Sequence, residues 1–252
     1  MEFIFVFISF IFALCFGSFL NVIIVRMPQD KSIVLPSSAC MSCENKLKFY
    51  HNIPLLSYLF LGGKCGFCGA KISILYPIVE LISAIFGVFI YLKFGFSFEA
   101  LFIGISVLLL LALSIIDLKF KAVPDSLNFW ALIFALIGGI LLHRDFIFIV
   151  GSSFAMAGFF TLLRFAFQSL AKKEVLGEGD IIVVATMGAL LGYKLALIAI
   201  FISAVFSLII LLAFFKKDYA IPYIPFLFAG MLTCLFFDSF FLNFLNSYIL
   251  GI

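Results

Sequence analysis

Apolar runs recur along the 252-residue chain, at about 3–25, 74–92, 98–116, 127–142, 147–167, 181–192, 195–214 and 221–250. Coiled as helices, most of these runs match the thickness of a hydrocarbon core, which predicts an all-α polytopic membrane protein with about eight transmembrane helices. Gly95, Pro124, the polar stretch 168–180, and Lys216-Lys217-Asp218 followed by Pro222 mark the ends of runs. The sixth run is short, and Gly192-Tyr193-Lys194 divides it from the seventh. One long polar insertion, 27–71, interrupts the pattern.

Composition agrees with the pattern: 65% of the residues are hydrophobic, 12% are charged, and the mean hydropathy is +1.31. An ordinary soluble domain is excluded, and every acid near the bilayer needs an explanation. The first run has Glu2 ahead of it and its positive charge behind it at Arg26. That is the reverse of a cleaved signal peptide, so the run is read as a retained span with its N-terminus outside. From that start the inner loops receive Arg26, Lys31, Lys46, Lys48, Lys64, Lys71, Lys119, Lys121, Lys172, Lys173, Lys216 and Lys217. The outer loops keep Lys93, Arg144 and Lys194. This bias satisfies the positive-inside rule, puts the insertion in the cytoplasm and, with an even helix count, returns the C-terminus outside. The expected organisation is a first transmembrane helix at 1–26, a cytoplasmic loop at 27–71 and a membrane domain of about seven helices at 72–252.

Cys40-Met-Ser-Cys43 and Cys65-Gly-Phe-Cys68 lie in the insertion, 21 residues apart. Two CxxC turns that each present two thiolates suit a tetrahedral four-cysteine zinc site, and Gly66 and Gly69 permit a tight second turn. A reducing cytoplasm disfavours disulfides. A structural zinc would also supply the folding energy that a loop of this size lacks. His51 is not needed as a fifth ligand, and Cys15 and Cys234 read as small apolar residues inside spans.

The acids worth weighing are Glu80, Glu99, Asp117, Asp125, Asp145, Glu174, Glu178, Asp180 and Asp238. Glu99 and Asp145 fall at outer helix ends, where water solvates them. Asp117, in LSIIDLKFKAVPDSL, and Asp180, in LGEGDII, both fall at the inner membrane edge. Two carboxylates that converge on one water share a proton, so the ionised one acts as base and the protonated one polarises a scissile carbonyl. Gly177 and Gly179 would let a substrate backbone pass close to Asp180. Equally, Asp180 can cap the sixth helix while the glycines only form a turn, and both readings stay open. Asp125, after Pro124, can cap the next helix and ranks behind Asp117 as a catalytic residue. Glu80, seven residues into the second run, requires a buried partner.

The ordered motifs GSFLNVIIVRMP at 17–28, the two CxxC knuckles, NIPLLSYLFLGGKC at 52–65, ISILYPIVEL at 72–81, IDLKFKAVPDSL at 116–127 and EVLGEGD at 174–180 resemble the bacterial prepilin peptidases. These type IV leader peptidases are membrane aspartic proteases of the GxGD class. The resemblance implies that Asp117 and Asp180 are the catalytic pair and that Cys40, Cys43, Cys65 and Cys68 bind zinc. It implies a prepilin or pseudopilin substrate, cut after a glycine at the cytoplasmic face of the inner membrane, with roles in type IV pili or type II secretion. S-adenosylmethionine-dependent methylation of the new N-terminus would follow, with Gly17 and Asn21 placed in the methyltransferase region. Glu174 and Glu178 would meet the basic leader. Membrane lipid is an expected partner and nucleic acid is not. Three positions depart from the family pattern: Lys119 where a second Asp is frequent, Ile182 for Lys, and Leu75 for Arg.

Two other classes compete. Glu80, Asp117 and Asp238, within or beside spans, motivate an ion or proton-coupled transporter, although most of the acids gather at one membrane edge rather than at a midplane site. An assembly factor holding a partner through the cysteine loop is the third.

Overall fold

The computed structural model describes residues 2–171, 177–213 and 222–249. Its elements are α1 (Glu2–Arg26), a short α2 (Leu56–Phe60), α3 (Leu75–Phe94), α4 (Phe98–Phe120), α5 (Asp125–His143), α6 (Phe146–Ala171), α7 (Glu178–Ala213), α8 (Ile224–Phe236) and α9 (Asp238–Phe244). Among the described residues β-structure is limited to two isolated bridges, Ala39 with Lys46 and Lys64 with Lys71, each closing one CxxC turn. The all-α expectation therefore holds. Among the described residues six helices have the length and apolarity to cross a membrane, and α8 with α9, bent by 82°, makes a seventh if counted as one span.

The predicted sixth and seventh runs merge into α7, which Gly192 breaks at φ 71°, ψ 165°. A straight helix would hold Ser203 about 34 Å from Asp180. Yet Gly230 of α8 packs against Ser203, while Tyr223, seven residues before Gly230, lies within electrostatic reach of Asp180. The chain therefore folds back at Gly192, where glycine alone adopts this backbone without strain. The eight apolar runs correspond to α1, α3, α4, α5, α6, the two arms of α7, and the broken α8–α9 pair. The last run is not one straight helix, because Phe237 leaves helical geometry between α8 and α9.

The chain forms two compact units, Met1–Phe96 and Ser97–Ile252. Composition places a boundary at 71/72, where polarity ends; packing places it after α3, which pairs with α1. In the first unit a Cβ on Gly17 would meet Ser83 Cβ at 2.7 Å, so α1 and α3 touch backbone to backbone, and Asn21 Nδ2 donates to Tyr76 O at 3.1 Å. In the second unit α5 lies between α4 and α7: Gly138 faces Ile103 of α4 and Gly139 faces the Ala189 carbonyl of α7. Ser106 Oγ donates to Ala131 O at 2.8 Å and Ser153 Oγ to Ala185 O at 3.0 Å, tying α4 to α5 and α6 to α7. α8 also packs on both α4 and α7. These contacts decide where the acids at the ends of α4 and α7 come to lie.

Candidate active site

Asp117 stands in the last turn of α4, which closes when the N–H of left-handed Lys121 donates to the Asp117 carbonyl at 2.9 Å. Its side chain is only 7% exposed, and Oδ2 accepts the Ile224 N–H at 3.2 Å. Ile224 opens α8, so the carboxylate takes an N–H at a helix start, where backbone donors lack helical partners. Asp180, also 7% exposed, is the third residue of α7. Its Oδ2 accepts the Gly177 N–H at 3.0 Å, the return half of a capping box. Asp180 lies within electrostatic reach of Asp117 and of Arg164. The second unit thus gathers the two carboxylates, Tyr223 and Arg164 into one neighbourhood, with Tyr223 stacked on Phe160 at 6.4 Å.

Capping and chemistry are compatible at Asp180, because a carboxylate has about four lone-pair positions and one N–H takes one of them. The surroundings of the two glycines bear on the access route suggested by the sequence. A Cβ on Gly179 would lie 2.8 Å from Val123 Cβ and Cγ1, and one on Gly177 would lie 3.4 Å from Asp180 Oδ2. The space beside Gly179 is therefore filled by the segment between α4 and α5. Asn128, which sequence reasoning missed, completes this contact: its Nδ2 donates to Gly179 O at 2.8 Å and the residue is fully buried. Its Oδ1 is buried with no partner among the described residues. The available signal was an amide in an apolar run, one turn after Asp125.

The secondary acids separate. Asp125 is exposed at the first position of α5, where its charge suits the helix N-terminus. Glu178 is 84% exposed and pairs with Arg164 Nη2 at 3.1 Å. Glu174 lies outside the described residues. Lys119 is exposed. Glu80 belongs to the first unit, and its Oε2 accepts the Leu55 N–H at 2.9 Å. Gly17 and Asn21 are both engaged in packing α1 on α3.

The cysteine loop forms two hairpin knuckles. Cys40 N–H donates to Asn45 O at 3.1 Å and Cys65 N–H to Ala70 O at 2.8 Å. Ser42 N–H points at Cys40 Sγ at 3.4 Å and Phe67 N–H at Cys65 Sγ at 3.5 Å. The N–H groups of Ser42 and Cys43 pull the Cys40 thiol down to about 6, while, against the Ala70 N–H, hydrogen bonds with the neighbouring thiols, Cys43 first, push Cys68 up to about 11, so the four sulfurs act as one group. All four Sγ atoms lie within 4.8 Å of one another, and Cys40 and Cys68 are 3.9 Å apart. A tetrahedral ion with zinc–sulfur bonds of about 2.3 Å sets its sulfurs about 3.8 Å apart. The four residues fit a metal ion. His51 stays outside the set, with its ring edge-to-face against Tyr50 and Phe67.

The family profile described as the bacterial peptidase A24 N-terminal domain matches residues 11–94, and that of the type IV leader peptidase family matches residues 104–212. Each match falls inside one compact unit. A prepilin leader peptidase/N-methyltransferase of Aeromonas hydrophila is 34% identical over 266 residues, covering 91% of this chain and 90% of that protein. The protein of that description from Legionella pneumophila is 31% identical over 269 residues, covering 94% and 93%. The one from Myxococcus xanthus is 37% identical over 214 residues, 81% of this chain and 62% of that protein. No solved structure matches the chain at a significant level. On the relatives matched over nine-tenths of both chains, this chain belongs to the type IV leader peptidase family.

Proposed function

We propose that the protein is a multi-pass enzyme of the inner membrane that removes the leader of type IV prepilins or pseudopilins with Asp117 and Asp180. The observation that carries this reading is that two buried carboxylates, on helix ends 63 positions apart in the sequence, lie within electrostatic reach of each other in one unit. Like charges in a poorly solvated site cannot both ionise cheaply, so the pair holds one proton. The ionised carboxylate takes a proton from water as the water oxygen bonds to the scissile carbonyl carbon. The protonated carboxylate hydrogen-bonds the carbonyl oxygen as its charge develops. Breaking the C–N bond, with a proton delivered to the leaving nitrogen, frees leader and mature N-terminus. The Ile224 and Gly177 N–H groups hold the two side chains in place for these transfers.

Lys119 and Lys121 beside Asp117 assign this end of α4 to the cytoplasmic side, and the lysines of the loop assign it there independently. Zinc is the metal proposed for Cys40, Cys43, Cys65 and Cys68, where it would supply folding energy. The relatives' names add methylation of the new N-terminus, for which S-adenosylmethionine would supply an electrophilic methyl group. Gly17 and Asn21 are taken up by helix packing and do not fit a binding role, so no step is assigned to them. The transporter reading finds no support in either matched family. The test is cleavage of a prepilin from the same organism by the purified protein and by Asp117→Asn and Asp180→Asn; full activity in either variant sinks the pair.

A further inference from the structure

The segment between the two cysteine pairs carries a feature that neither metal binding nor peptide cleavage uses. Leu55 sits at φ 60°, ψ −49°, and the Leu56 N–H reaches over it to Pro54 O at 2.6 Å. This is a γ-turn of the rare kind with a positive φ at its centre, a conformation that persists only where its surroundings enforce it. The enforcing group is Glu80, whose Oε2 accepts the Leu55 N–H at 2.9 Å. Glu80 is 7% exposed and is the sixth residue of α3, so it lies about 7 Å inside the helix start. α3 has 20 residues, about 30 Å, which is the full hydrocarbon thickness with nothing to spare. A backbone fixed to Glu80 is therefore held within about a turn and a half of the membrane edge, just beneath the level where headgroups meet acyl chains.

What the clamp holds at that level is apolar. α2 begins at the residue after Leu55, and Leu56, Leu59 and Phe60 are exposed on it, Phe60 at 86%; just upstream Phe49 is 85% exposed. Tyr50 and Tyr58 give the segment the amphipathic rings that favour a membrane interface. Lys46, Lys48, Lys64 and Lys71 flank it and are all exposed, the charge that suits anionic headgroups. At the start of α3, Ile74 and Ile78 are exposed as well, so the helix presents a lipid-facing surface at the same depth. Water-facing loops do not collect large apolar side chains in this way.

We propose that residues 49–60 are an interfacial anchor: the Glu80 carboxylate clamps Leu55, and the exposed apolar side chains of the segment insert into the lipid leaflet where α1 ends and α3 begins. The cysteine loop is thereby held flat on the membrane rather than hanging into water.

The test uses the full chain in vesicles of phosphatidylethanolamine and phosphatidylglycerol. Trp130 is the chain's one tryptophan, so Trp130→Phe with Phe60→Trp places a single reporter on α2. The anchor predicts that this Trp loses most of its emission to lipids brominated near the headgroup and little to aqueous iodide. Adding Glu80→Ala moves the reporter from the lipid quencher to iodide, whereas Glu80→Gln, which keeps an acceptor for the Leu55 N–H, leaves it in lipid. Emission quenched by iodide and not by lipid in the Phe60→Trp protein overturns the anchor. So does shielding from iodide that arises only when a peptide with a hydrophobic stem is added, because the patch then belongs to a peptide. Unchanged lipid quenching in Glu80→Ala overturns the clamp. If Glu80→Ala fails to insert, the reporter protein still decides the anchor, and Leu55→Pro, which removes the N–H that Glu80 accepts, decides the clamp: it moves the reporter to iodide if the clamp holds the segment, and unchanged lipid quenching overturns it.

Discussion

Gly179→Ala separates two explanations of the glycine before Asp180. A Cβ at 179 would lie 2.8 Å from Val123 Cβ and Cγ1 and 3.1 Å from Cγ2, where ordinary contact begins at 3.4 Å. No rotation about χ1 moves the Val123 Cβ itself, so the backbone of 122–124 or the first turn of α7 must shift. Overpacking of this kind costs about 1–3 kcal/mol. Asp180 is the next residue, held by its bond to Gly177, so a shift there displaces the carboxylate. Misplacing a reacting group by about 1 Å can cost about a hundredfold in rate, so a smaller shift of Asp180 gives an expected loss of about tenfold to a hundredfold in kcat/KM, separate from the loss of stability. The assay is leader removal from a full-length prepilin by protein in nanodiscs, read by product mass, with a thermal melt as a check on folding. Val123→Ala removes two of the three crowding atoms, so the double variant should recover part of the loss, as coupled neighbours do. Full activity in Gly179→Ala, or a double variant no better than the single one, would refute the packing account. The second result would return Gly179 to a role in passing the substrate.

Asn128→Leu removes the 2.8 Å bond to Gly179 O, worth about 1 kcal/mol of stability, and by loosening the turn before Asp180 should lower kcat severalfold more than KM changes; a thermal melt and steady-state kinetics check the two effects. Asn128→Asp should be worse, because it buries a further negative charge beside the pair. Cys40→Ser should lower the metal content from about one ion per chain and lower the melting temperature, as measured by elemental analysis and thermal denaturation. Metal-free wild-type protein with unchanged stability would defeat the metal reading.

The parts of this protein legible in its sequence are those written in local pattern. The apolar runs predict the helices, and the Gly192-Tyr193-Lys194 break marks the fold-back inside α7. Four cysteines at CxxC spacing predict a cluster that the structure brings within metal-binding distance. What stayed hidden joins distant positions. Ile224 holds Asp117 from 107 residues away, and Asn128 holds Gly179 from 51. Both use backbone atoms, which no residue identity announces. Gly179 reads as an open position until Val123 is seen filling it. Glu80 shows its need for a partner through its burial cost, but that partner is a main-chain N–H at Leu55, invisible in the residue types. Glu178, an exposed acid in the sequence, is already paired with Arg164.

The central claim is that Asp117 and Asp180 act as one catalytic pair. The most direct measurement is the mass of a prepilin incubated with wild-type protein, Asp117→Asn or Asp180→Asn, each shown to be inserted and equally stable. The account predicts loss of the leader mass with the wild type and intact prepilin with both variants. Leader loss at the wild-type rate with either variant would contradict it.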